Sequence, residues 1–227
     1  MMRAARLGFA LGWSRLPPRR VAVLALLGAL ASSGVALAVR SSSPLAAPNV
    51  VASLVFGLVL PLTAYGAVST GSGSTDLSSA TWPAARRGFS RRPVAMGLAL
   101  AAFVATLAVV FPVLLVGFGV AYRATPGFSK DCVTSGGLVA LGAAAYVSAF
   151  SLASTAMRRG RARSLLLCLD FFVGAFGSAF SLPFPRAHLR SLLGGEAVAM
   201  LSQRQSSGAL LTLTLVAFVM ALARLRR

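Results

Sequence analysis

Residues 94–122 read VAMGLALAAFVATLAVVFPVLLVGFGVAY, 29 positions without one charged side chain. A helix rises about 1.5 Å per residue, so this run would reach roughly 44 Å against a hydrocarbon layer of about 30 Å. It reads as a transmembrane helix longer than one crossing, which tilts, kinks near Pro112 or begins outside the lipid.

Working outward, five more apolar blocks flank it, at 21–39, 50–69, 137–157, 164–184 and 207–223. Each falls within the span range of about 17 to 25 residues. The chain is 57% hydrophobic and only 11% charged, against about 25% charged in a soluble domain. The expected fold is therefore all-α: one polytopic integral membrane domain, 21–223, of six transmembrane helices. A basic tail, 1–20, precedes it and a basic end, 224–227, follows.

The net charge of +18 is the kind of excess that binds phosphate backbones. Here, however, the basic residues sit between the apolar blocks, facing lipid headgroups, so nucleic acid is not an expected partner and membrane lipid is. Counting alternate connections gives an orientation, since basic loops resist translocation. The N-terminal tail (Arg3, Arg6, Arg15, Arg19, Arg20), the second loop (Arg86, Arg87, Arg91, Arg92), the fourth loop (Arg158, Arg159, Arg161, Arg163) and the C-terminus (Arg224, Arg226, Arg227) hold 16 of the 22. Arg40, Arg123, Lys130, Arg186, Arg190 and Arg204 on the other side are the remaining six. The alternation predicts six crossings with both termini in the cytoplasm. Arginine outnumbers lysine 21 to 1, a usage expected of a GC-rich bacterial genome and so of a bacterial inner membrane.

The first block, with basic residues before it and Ala36-Leu37-Ala38 near its end, has the marks of a cleavable signal. Its 19 residues exceed the usual signal core of about 7 to 15, so retention as the first span is expected.

Tests for chemistry come out negative. The one lysine, Lys130, follows Ser129 and lacks the glycine context of a phosphate-binding loop, so ATP hydrolysis is expected only on another chain. One histidine, His188, and four scattered acids (Asp76, Asp131, Asp170, Glu196) leave no protease, metal or haem constellation. Cys132 and Cys168 fall in different settings, one polar and one apolar, with no metal-ligand spacing. No catalytic residue, metal or cofactor is expected.

Some polar positions still stand out. Asp170 is the one acid inside a block, about six residues from the inner end; such a charge normally faces a partner. It reads as a structural ion pair with Arg163 or a neighbouring helix, as part of a substrate path, or as solvated at the inner boundary. Ser148, Ser151 and Ser154 share one helical face, suited to packing or to lining a pore. Gly28 with Ser32, and Gly174 with Ser178, are small pairs four apart that favour tight helix contacts. The second loop, 71–93, opens with glycines and serines, after which Asp76 is placed to cap a helix from Leu77 that Pro83 enters early or breaks. The segment 185–206 is the long outer connection.

At 80–91 the second loop reads Ala-Thr-Trp-Pro-Ala-Ala-Arg-Arg-Gly-Phe-Ser-Arg. This resembles the permeases of ABC-2 type ATP-binding cassette exporters, which carry Gly-Thr-x-x-x-Leu-Leu and then Arg-Pro-Val-Ser-Arg before the third span. Thr81, Arg87, Ser90 and Arg91 carry the match; the acid after the threonine and the leucine pair are missing, and Gly88 replaces a common proline. The basic turn at 158–163, the outer segment and the basic C-terminus extend the likeness along the chain. The resemblance implies a permease subunit that pairs with an identical or different second permease and with a cytoplasmic ATPase. It also implies that the ATPase contacts a coupling loop carrying Asp76, Thr81, Trp82, Arg86, Arg87, Ser90 and Arg91. A non-transporting scaffold, assembly factor or sensor, and an ion-driven secondary carrier, are the alternatives; scarce intramembrane carboxylates weigh against the carrier.

Overall fold

The computed structural model describes residues 1–43, 45–73, 75–122, 127–157 and 160–225. Among these there are helices and turns but no strand. In chain order the α-helices are α1 (Met2–Arg15), α2 (Pro18–Ser42), α3 (Ala47–Leu54), α4 (Leu60–Gly71), α5 (Leu77–Ala85), α6 (Arg91–Ala121), α7 (Phe128–Ala153), α8 (Arg161–Phe172), α9 (Pro185–Leu192) and α10 (Gln203–Arg224). A π-helical turn, Val55–Val59, joins α3 to α4. Pro61 lies just beyond it: a proline ring there would strike the Gly57 carbonyl in an α-helix, and the wider turn relieves that clash.

Among the described residues five helices are long and apolar enough to cross a membrane: Pro18–Ser42, Ala47–Gly71, Arg91–Ala121, Phe128–Ala153 and Gln203–Arg224. The multi-pass helical reading stands at that level. The block at 164–184 does not form one helix. α8 covers 12 residues, about 18 Å, and stops at Phe172. Gly174 and Gly177 lower helix propensity beyond it, and Pro183 and Pro185 keep the next stretch from resuming the same helix. The chain instead turns, makes a short 3-10 helix at Ala179–Ser181 and continues into α9. The pair Gly174 and Ser178 thus shares no helix. The segment still passes from one end of the bundle to the other, in pieces. Arg163 at its start bonds Ser72 and Thr75 beyond α4, and Gln203 at its close borders a cavity with Asn49 and Tyr122 at the opposite end.

α6 is the mast, touched by α1, α2, α3, α4, α5, α7 and α10. Its Val110, Val113, Leu114 and Phe118 lie in the main core with Val51, Phe56, Tyr146 and Phe150. The Gly28 and Ser32 pair does bring α2 close: Ser32 Oγ donates to the Val113 carbonyl at 3.1 Å.

The extra length of α6 is spent at one end. α1, which the sequence offers only as a basic tail, lies along the first turns of α6. Its buried Ala4, Gly8 and Gly12 recur every four residues and face that helix. A β-carbon at Gly97 would collide with the Ala5 carbonyl, and one at Gly8 with the Val94 carbonyl, so the two backbones are in contact. α5 and Leu225 complete the same end, where Leu77, Ala80, Ala95, Leu98 and Leu225 form a small core of their own.

Candidate functional site

The second loop is built as a short helix tied firmly to the spans. Asp76 is its N-cap, accepting from the Ser79 backbone N–H at 3.1 Å and from Ser79 Oγ at 2.7 Å. Burial pushes the Asp76 carboxyl up, but the bonds from Ser79 and the nearby backbone outweigh it and hold the group below its ordinary value. α5 runs on through Pro83 and ends at Ala85.

Three ties fix this helix. The Leu77 N–H donates to the Ser154 carbonyl, the C-cap of α7, at 3.2 Å. Buried Arg163 of α8 donates to Ser72 Oγ at 2.5 Å and to the Thr75 carbonyl at 3.2 Å. Arg91 Nη1 lies 3.4 Å from Ser78 Oγ. Arg15 adds a bond to the Gly71 carbonyl at 3.0 Å.

The predicted loop residues divide into two groups. Thr81 is fully buried and donates to the Leu77 and Ser78 carbonyls, so it serves the helix itself. Asp76 and Arg91 position the helix, and Ser90 caps α6 through its backbone alone. Trp82, 46% exposed, carries the Arg86 guanidinium stacked over its ring at 4.1 Å, and Arg86 and Arg87 face outward. Gly88, where the motif departs from proline, has φ +81. Proline is locked near −65°, so the departure belongs to the turn that ends α5.

Asp170 is buried, but Arg163 is not its partner. It accepts from the Tyr146 hydroxyl at 2.7 Å and from the Arg186 backbone N–H at 3.2 Å. Arg163, drawn off to the α5 loop, points the other way along the bundle. Ser148, Ser151 and Ser154 are all buried, and Ser154 Oγ bonds the Phe150 carbonyl of its own helix at 2.6 Å. None of the three borders the large cavity, which meets α7 at Thr134 and Ser135 instead.

That cavity, about 740 Å³, lies at the end of the bundle away from α5, between α3, the ends of α6 and α7, and α9. Arg186, Arg190 and Asp131 are its charged lining. His188, which the sequence places in a loop, is fully buried, with Nε2 2.8 Å from the Leu182 carbonyl, so that nitrogen carries the proton. Arg158 and Arg159 lie outside the described residues.

Among the described residues no three His, Cys, Asp or Glu side chains gather as metal ligands. Compared with family models, with curated proteins and with solved structures, the chain has no match.

Proposed function

We propose that this chain is the membrane-spanning permease subunit of an ABC-2 type exporter, with α5 as the element a separate ATPase pushes on. The observation that carries the reading is the build of α5. It shows an exposed Trp82, Arg86 and Arg87 surface on one side, while its first residue is bonded to the end of α7 and the turn leading into it is bonded to the start of α8. A load applied to that surface reaches two helices through backbone and buried guanidinium contacts, a rigid-body linkage of the kind that couples two global states. A loop that only fixed topology would need none of these ties.

The proposed topology is six passes with α1, α5, the start of α8 and Leu225 on the cytoplasmic side of a bacterial inner membrane. Supporting it, these basic segments share one end of the molecule: Arg15 reaches Gly71, Arg163 reaches Thr75, and Leu225 packs on Leu77 and Ala80. The α8-to-α9 segment supplies the sixth pass in pieces. The permease would act beside an identical or different second permease.

The test is co-purification. The chain, expressed from its native locus with a C-terminal tag, brings down a Walker-type ATPase whose hydrolysis in proteoliposomes depends on the permease. Arg86→Glu with Arg87→Glu, two exposed positions, leaves the chain folded and breaks that dependence. A chain that recovers no ATPase, and whose function survives the double reversal, is a scaffold and not a permease.

A further inference from the structure

We infer that the cavity between α3, α7 and α9 is a binding site for an anionic amphiphile, whose carboxylate or phosphate group pairs with Arg186. The inference needs no ATPase and does not rest on the permease reading.

The cavity is of drug-ligand size, about 740 Å³, within the roughly 300–1,000 Å³ usual for small-molecule sites. Phe56, Phe118, Leu138 and Leu189 give it apolar walls beside polar Asn49 and Thr134, a mixed lining that a bare inorganic ion would leave unfilled. Its charges are not equivalent. Asp131 is occupied by the Tyr122 hydroxyl, and Arg190 by the Ala175 carbonyl and by Glu196 at 3.7 Å. Gln203 at the rim is neutral. Arg186 is different: it is half-buried, its guanidinium lies over the Phe171 ring at 4.7 Å, and its Nη1 is buried with no hydrogen-bond partner.

The nearby acid does not supply that partner. Asp170 takes the Arg186 backbone N–H and the Tyr146 hydroxyl. Among the described residues the ion pair within 4.0 Å is Arg190 with Glu196, and the Arg186 guanidinium has none. Asp170 is the nearest acid, but it lies beyond ion-pair distance and spends its oxygens on other donors, so the partly desolvated guanidinium keeps an unmet demand that is costly in an apolar bundle. Carboxylate and phosphate oxygens are the natural partners of a guanidinium, so an anionic headgroup that reaches the part of Arg186 lining the cavity is the group that relieves the cost. Gly57 of the π turn lies beside the guanidinium, where a β-carbon would stand 3.5 Å from Arg186 Nη2, an ordinary contact distance.

The experiment uses the whole chain purified in nanodiscs of zwitterionic lipid, with radiolabelled decyl phosphate as the probe. Decanoate, decanol and inorganic phosphate are the competitors. Decyl phosphate is expected to bind saturably, decanoate to displace it, and decanol and inorganic phosphate to compete at least about tenfold less well. Arg186→Gln is expected to weaken binding about tenfold or more while Arg186→Lys restores part of it. Should Arg186→Gln fail to fold, Ser53→Trp, at an exposed position on the cavity wall, blocks the volume without touching the cation and is expected to abolish binding. Equal competition by decanol means an apolar groove only, and equal competition by inorganic phosphate means an ion site only; either overturns the proposal. So does unchanged affinity in both Arg186→Gln and Ser53→Trp, or no saturable binding at all.

Discussion

At Asp76 one carboxylate decides whether α5 begins where it does. Asp76→Ala removes the cap and should cost roughly 1 kcal/mol of local helix stability, whereas Asp76→Asn keeps an accepting oxygen. Because the folded carboxyl titrates below its ordinary 3.8, its contribution is present in full above that value and fades as pH falls through the folded one. Hydrogen exchange of residues 77–85 between pH 5 and pH 2.5 should therefore show the wild-type helix loosening with acid, and the Asn variant changing little. Deeper in the bundle, Tyr146→Phe leaves Asp170 with the single N–H of Arg186. Loss of a hydrogen bond to a charged group costs roughly 1.5–3 kcal/mol, which a thermal melt in detergent should register. Asp170→Asn keeps an acceptor for Arg186 and should fold. On the permease reading it stops transport, and normal transport in that variant would confine Asp170 to holding α8 and α9 together.

Among the elements, the α1–α6 contact rests on backbone proximity. Gly97→Leu places a branched side chain where the Ala5 carbonyl now lies, a misfit of the sort that costs about 1–3 kcal/mol in packed cores. The expected result is release of α1 with the rest of the bundle intact, read as protease cleavage between Arg6 and Arg15 in the variant and protection in the wild type. The same contact shows what can be read from sequence. The long runs at 21–39, 50–69, 94–122, 137–157 and 207–223 are legible because no soluble fold tolerates them. α1 is not, because it is held by Ala4, Gly8 and Gly12, residues whose role is to be absent, while its arginines dominate the local pattern. The block at 164–184 misleads for the reverse reason: its apolar length satisfies the span rule, but Gly174, Gly177, Pro183 and Pro185 set its conformation. At α5 the cap and the exposed Trp82 and Arg86 are readable from local spacing. The ties to Ser154 and Arg163 join positions 77 and 88 residues apart, respectively, and no local pattern announces them. Arg186 is hidden for the same reason, since along the chain it is one more loop charge.

For the whole molecule, the alternation of basic segments predicts where each loop lies. Alkaline phosphatase fused after Arg87 or Arg161 should be inactive, and fused after Gly195 should be active, since Gly195 borders the cavity at the end opposite α5. Activity at Arg87 would invert the molecule and remove α5 from reach of any cytoplasmic ATPase.

The small core at the basic end has a consequence for biogenesis. Leu77, Ala80, Ala95 and Leu98 emerge from the ribosome in the first half of synthesis, yet Leu225 is what seals them. Until the final helix inserts, that seam stays open to chaperones and to the translocation channel. The fold is thus locked late, and a chain stopped short of its last few residues would leave that apolar seam open to quality-control proteolysis.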